Sequence, residues 1–198
     1  MNMKRMFEPF EIGDLRLANR FVLPPIKTAF GTPQGVVTDR HIEFYRKIAS
    51  NGPGVLILEP VAVTVDGKEH PKQLCIHHPE SVNEIKKIVD VIHAENRIAC
   101  LHLNHAGAAA NPKATGTKPK APAAITCPRS GQTAEPLTED EIDSIVDGYR
   151  QAALKAAQAG IDMLEIQGGH GYLMSQFLNS KINKRNDAYG ENRLFFAE

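Results

Sequence analysis

Apolar positions along the chain alternate between short blocks and helical stripes. Phe21-Val22-Leu23 is a short apolar run stopped by Pro24-Pro25; proline has no N–H to give to a ladder, so a first strand is predicted to end there. Thr38 then precedes Ile42, Phe44, Tyr45, Ile48 and Ala49 at helical spacing, and Asn51-Gly52-Pro53-Gly54 closes that helix. Val55-Leu56-Ile57-Leu58 is continuously apolar up to Glu59-Pro60, the pattern of a strand covered on both faces. Ser81 opens a second helix with Val82, Ile85, Ile88, Val89 and Ile92 on one stripe and Asn96 at its C-terminal end. Ile98 to Leu103 predicts a third strand.

Thr138-Glu139-Asp140-Glu141 places Thr at a cap and Glu three residues on, a capping box that launches a long Ala-rich helix ending at Gly160. Ile161 to Ile166 predicts a fourth strand. Beyond Gly168-Gly169-His170-Gly171 come a short apolar stretch, Tyr172 to Leu178, a polar segment, and the start of another helix at Glu191 to Glu198. Between the third strand and the long helix, Ala106 to Pro136 is rich in Ala, Pro, Gly, Thr and Lys. Its five prolines, Pro112, Pro119, Pro122, Pro128 and Pro136, are expected to block helix throughout. A loop of that length inside a compact domain usually covers a site.

The order is β-α-β-α-β-α-β, which argues for parallel strands joined by right-handed crossovers. An open doubly wound sheet and part of a (β/α)8 barrel both fit. No strand is followed by G-x-G-x-x-G or a P-loop, so the nucleotide-binding forms of the open sheet lose support. A complete barrel takes about 250 residues, whereas these 198 residues reach four strands. On the barrel reading, residues 1–198 form the N-terminal portion of one α/β barrel domain, about its first four βα units, cut before strand five. Strands one and four would then be unpaired edges, expected to be covered in a homo-oligomer or by the missing barrel half.

Composition narrows the function classes. Apolar residues make up 42% and charged residues 23%, ordinary globular usage that excludes a disordered or collagen-like chain. Lys+Arg 23 balances Asp+Glu 23, leaving no electrostatic case for nucleic acid or an anionic membrane as partner. No apolar run approaches the roughly 18 residues of a membrane span. The N-terminal Met1-Asn2-Met3-Lys4-Arg5-Met6-Phe7 meets Glu8 too early for a secretion signal, so a cytoplasmic protein is expected. Cys75, Cys100 and Cys127 form no C-x-x-C pair, which points away from disulfides and metal ligation.

The polar clusters follow the C-terminal ends of strands, where both architectures place ligands. By alternation His102 and Asn104 share one face of the third strand, opposite Leu101 and Leu103; on the fourth, Met163, Glu165 and Gln167 share a face while Leu164 and Ile166 pack under the helices. His170 sits between glycines and Tyr172 follows two residues later; an imidazole N–H and a phenol together can hold a carbonyl oxygen and give a proton. Each feature alone also fits a buried polar or core residue.

Asn19-Arg20-Phe21-Val22-Leu23-Pro24-Pro25, Gly35-Val36-Val37-Thr38-Asp39-Arg40-His41-Ile42, His102-Leu103-Asn104-His105-Ala106-Gly107, Glu165-Ile166-Gln167-Gly168-Gly169-His170-Gly171-Tyr172-Leu173, Asn183-Lys184-Arg185-Asn186-Asp187 and Tyr189-Gly190-Glu191-Asn192-Arg193 resemble the Old Yellow Enzyme family of FMN-dependent ene-reductases and NADH:flavin oxidoreductases, from about Phe7 to Glu198. The resemblance implies a (β/α)8 barrel with FMN at its C-terminal mouth, reduced by NADH or NADPH and reoxidised by a small molecule such as an activated alkene. Tyr172 matches the family's proton donor, and Gln167 and His170 its substrate-carbonyl pair. Pro25, Ile26, Lys27, Pro60 and His102 match residues that approach the flavin. The chain departs from the family where Gln167 stands for a His, His102 for a Gln and Lys27 for a small side chain, and where Tyr189-Gly190-Glu191-Asn192 is shorter than the family's usual stretch.

Two readings of other classes remain. The chain could be a non-catalytic half-barrel, a binding or assembly module with weak or no flavin affinity. Alternatively His102, His105 and His170 could hold a divalent metal, although His102 and His105 fall on opposite sides of their strand.

Overall fold

The computed structural model describes residues 3–190. After a 3-10 turn, Met3–Phe7, the chain forms β1 (Phe10–Ile12) and β2 (Leu15–Leu17), an antiparallel hairpin, then β3 (Val22–Leu23), α1 (Asp39–Ala49), β4 (Val55–Ile57) and β5 (Val61–Ala62). Next come α2 (Ser81–His93), β6 (Ile98–Asn104), α3 (Pro112–Thr115), β7 (Lys120–Ala121), β8 (Glu135–Pro136), α4 (Glu139–Gln158), β9 (Met163–Ile166) and α5 (Leu173–Leu178).

The main sheet is parallel throughout. β3 pairs with β4, β4 and then β5 pair along one edge of β6, and β9 pairs along the other. Cys100 is bridged to Ile57 on one side and Met163 on the other, and Leu103 to Val61 and Ile166. Spatial order therefore follows chain order. A doubly wound sheet reverses its strand order at a switch point; no reversal occurs among the described residues, and the sheet is an arc of a barrel that does not close.

Alternation gives this arc two different faces. Outward, Leu56, Leu58, Leu101 and Leu103 pack against Tyr45 and Ala49 of α1, Ile85, Ile88 and Ile92 of α2, and Ala152 and Ala156 of α4. Inward, Val55, Ile57 and Cys100 pack with Leu17 of the hairpin and the partly buried Met163. The hairpin thus covers the N-terminal end of the inner face, and the next inward residues toward the C-terminal end are His102, Asn104, Glu165 and Gln167.

The caps explain where the helices start. Glu141 N–H donates to the Thr138 hydroxyl at 3.2 Å, and Thr138 N–H donates to the Glu141 carboxylate at 3.0 Å. Thr138→Ala is expected to cost about 1 kcal/mol, the usual worth of such a cap, read as a lowered midpoint in chemical unfolding. Gly160, with φ +83°, ends the helix in the left-handed region that glycine adopts at little cost.

Several boundaries differ from the sequence expectation. The fourth strand starts at Met163 rather than Ile161, and the third extends to Asn104. Pro112 does not block helix: it occupies the first turn of α3, with Lys113 N–H donating to the Asn111 side chain, a position that needs no N–H from proline. Leu164 and Ile166 do not pack under helices; they are 42% and 52% exposed, because no described helix lies over the outer face of β9. The helix expected at 191–198 lies outside the described residues. Among the described residues, no helix is long and apolar enough to cross a membrane.

Candidate active site at the C-terminal end of the sheet

Two groups of polar side chains occupy this end. The first joins β6 to β9 and the turn after it. Gly169 N–H donates to Gln167 Oε1 at 2.9 Å, and Gln167 Nε2 lies 3.1 Å from His102 Nε2. His102 Nδ1 meets the Glu165 carboxylate in a short contact. The ring is nearly buried, while Glu165 keeps 40% of its side chain exposed.

The second group centres on Glu69, in the segment after β5. Its carboxylate is 1% exposed and receives the Lys27 ammonium, the Tyr172 hydroxyl and, at 3.2 Å, the Arg129 guanidinium. Lys27 follows β3, Tyr172 precedes α5, and Arg129 comes from the long segment over the site. That segment holds together through the β7–β8 pair and a small core of Ala108, Ala121, Cys127 and Ala134. Glu69 N–H donates to Gln73 Oε1 at 2.7 Å, and Gln73 Nε2 donates to the Pro60 carbonyl at 3.2 Å, tying the end of β4 to the same cluster.

The electrostatics follow from these contacts. Burial opposes ionisation of Glu69, but hydrogen bonds from Lys27 and Tyr172 and the Lys27 charge outweigh it and hold the carboxyl below its ordinary range. Tyr172 is pushed up to about 12, by burial first and then by its bond to Glu69. The Tyr172 phenol is therefore a proton-bearing group at neutral pH, with the Arg129 guanidinium beside it to favour the phenolate once the proton leaves.

The sequence-chosen residues separate as follows. His102 and Gln167 touch; Lys27 and Tyr172 meet through Glu69; Pro60 joins through Gln73. His170 is exposed, has φ +58°, and its ring centroid lies 6.3 Å from that of Tyr172. A non-glycine residue in this region costs of order 1 kcal/mol or more; Gly169 and Gly171 on either side ease the turn. Pro25 is half-buried and Ile26 exposed, both on the segment leading to Lys27. Glu69 and Arg129 were not singled out from the sequence. Nothing in the spacing ties Glu69 to a tyrosine 103 positions away. His105 turns to Gly107 N–H and lies 3.7 Å from Asp66. Among the described residues no three metal-ligating side chains group together, so the metal reading has no support.

At the end of β6, the buried Asn104 amide has neither its nitrogen nor its oxygen partnered. A buried amide left open costs about 1–3 kcal/mol, which suits a site whose complement is a donor and acceptor on one ligand edge.

Consecutive parallel strands with helices on their outer face form part of a (β/α)8 barrel. Residues 5–198 match the NADH:flavin oxidoreductase / NADH oxidase family, and the chain belongs to that family. It is 32% identical over 197 residues to an NADPH dehydrogenase of Clostridium acetobutylicum, covering 98% of this chain and 58% of that protein. It is 35% identical over 188 residues to a metal reductase of Desulforamulus reducens, covering 95% of this chain but 28% of that one. In structure it superposes on an old yellow enzyme homologue from Zymomonas mobilis with TM-score 0.87 and 28% identity, over 94% of this chain and 56% of that chain. The chain thus spans from under a third to rather more than half of the relatives it matches.

FMN, with NAD(P)H as reductant, is the cofactor that this membership brings. The residues present fit the ring portion of FMN: its pyrimidine edge offers an N–H beside carbonyl oxygens, a pattern an open amide such as Asn104 can meet, and the Lys27 ammonium can face an oxygen of that edge.

Proposed function

We propose that this chain forms the flavin-binding face and proton donor of an FMN-dependent oxidoreductase that takes hydride from NADH or NADPH and passes it to an activated alkene. The supporting observation is Tyr172, held protonated against buried Glu69 with Arg129 beside it, while Lys27 takes the other oxygen of Glu69. On this reading residues 1–198 are the N-terminal portion of one barrel domain.

FMN, when bound, supplies the hydride transfer at its ring, from the nicotinamide and on to the alkene carbon. The chain's own residues do the rest. Pro25, Ile26, Lys27, Pro60 and His102 line the ring's place. Gln167 and His170 offer N–H groups to the substrate carbonyl, which draws charge from the alkene and readies its far carbon. Tyr172 then gives its hydroxyl proton to the neighbouring carbon, and the resulting phenolate is met by Arg129 before water returns the proton. Gln167, unlike a histidine, stays neutral, so the carbonyl is polarised by dipoles at that position.

Full-length protein carrying this segment is expected to purify yellow, and its flavin, bleached anaerobically by NADPH, is expected to regain colour on adding cyclohex-2-enone. A bleached flavin that no alkene reoxidises would remove the alkene from the reading. The three cysteines are unpaired and buried, which suits a reducing compartment such as the cytoplasm.

The assembly-module reading has one observation in its favour: β3 and β9 each carry one unpaired edge among the described residues, and the outer face of β9 is open. A homo-oligomer or an associated barrel half would cover both. A colourless dimer that takes up no FMN is the result that reading expects.

A further inference from the structure

We propose that Glu165 is a positioning residue for Gln167, acting through the ring of His102. The inference rests on the function proposed above for what Gln167 binds, but its geometry stands without it. Gly169 N–H can only donate, so the Gln167 atom 2.9 Å away is the amide oxygen, and the atom 3.1 Å from His102 is the amide nitrogen. An amide nitrogen can only donate. His102 Nε2 must therefore be the bare, accepting nitrogen, and the ring proton must sit on Nδ1, where the Glu165 carboxylate receives it.

The direction of the whole chain is thereby fixed from both ends: Gly169 N–H to Gln167, Gln167 to His102, His102 to Glu165. It leaves the Gln167 amide with its oxygen engaged and one N–H uncommitted. The group it meets must then be an acceptor, such as the oxygen of a substrate carbonyl. Without the carboxylate, the His102 proton is free to move to Nε2. Nε2–H would face the Gln167 NH2, and the amide would have to turn over. Its oxygen would then be spent on His102 and its nitrogen would face Gly169 N–H, so one of the two bonds is lost either way. Glu165 thus sets the orientation of an amide it does not touch.

The test reads the tautomer directly, on the full-length protein carrying this segment, labelled with 15N at histidine, at neutral pH. His102 is assigned by the disappearance of its signals in His102→Gln. The wild-type ring is expected to show protonated Nδ1 and bare Nε2, and Glu165→Leu, which offers Nδ1 no acceptor, is expected to move proton population to Nε2. Glu165→Asp, keeping the charge, is expected to hold the wild-type tautomer. In the loaded enzyme Glu165→Leu should raise KM for an enone roughly fivefold, the worth of one net hydrogen bond, while Glu165→Asp stays near the wild-type value. A wild-type ring protonated on Nε2, or on both nitrogens, overturns the proposal, and so does a tautomer indifferent to Glu165→Leu. Because the wild-type measurement needs neither a variant nor a flavin, it decides even if Glu165→Leu fails to fold. An Nδ1–H ring in a protein that binds no FMN would sink the functional reading and leave this one standing.

Discussion

Tyr172→Phe is expected to slow reoxidation of the loaded enzyme by an activated alkene about 10²- to 10⁴-fold, the usual contribution of a positioned general acid. Reduction by NAD(P)H, which needs no proton from the phenol, is expected to be unchanged. Stopped-flow absorbance of the two half-reactions, measured separately, checks this; equal losses in both would sink the assignment of Tyr172. The pH dependence follows from the environment of the phenol. Burial and the bond to Glu69 raise its pKa to about 12, so the proton is fully present at neutral pH and is lost only as pH rises through that value. The alkene step should therefore show no alkaline limb from Tyr172 below roughly pH 11. Phenylalanine also leaves Glu69 with Lys27 and Arg129 alone, both of which reach solvent and can adjust, so the fold should survive the change.

The largest stability effect is expected at His41. Its ring is fully buried, Thr38 N–H donates to Nδ1 at 3.0 Å, and Nε2 lies 2.9 Å from the equally buried Glu59 carboxylate. Thr38 fixes Nδ1 as the acceptor, which leaves Nε2 carrying the proton that faces Glu59. His41→Leu keeps comparable bulk but strands that carboxylate, whose remaining side-chain partner is the Thr28 hydroxyl. Removing one partner of a buried pair costs about 3–5 kcal/mol. Replacing both, as His41→Leu with Glu59→Leu, is expected to cost far less, since an apolar pair carries no unmet charge. Denaturant unfolding of the two single variants and the double variant gives the comparison; additive losses would show that the pair does not act as a unit.

How much was legible beforehand depended on the distance over which a residue's role is decided. The outward stripes of α1, α2 and α4 and the apolar blocks of β4 and β6 follow local periods of 3.6 and 2, so their existence and order could be read directly. Thr138 and Glu141 satisfy each other within one turn, and that cap was legible too. The hairpin was not, because Phe10 and Ile12 are 40% and 44% exposed and its strands are too short to show alternation. Leu164 and Ile166 were misjudged since burial of a strand's outer face depends on what comes to cover it. Gln167, His170 and Tyr172 were singled out because strand ends carry sites and because the motif around them resembles a known family. Glu69 and Arg129 were missed because three-dimensional closure alone brings residues 60 positions apart onto one carboxylate.

Leu17 carries one further implication. Its side chain is lodged among Val55, Ile57 and Cys100 and fills the foot of the described part of the sheet. On the proposed chemistry, a whole barrel filled at its foot in this way would give the nicotinamide and the alkene one doorway to use in turn, each leaving before the other arrives. The stopper that completes the packing would then also dictate the order of traffic.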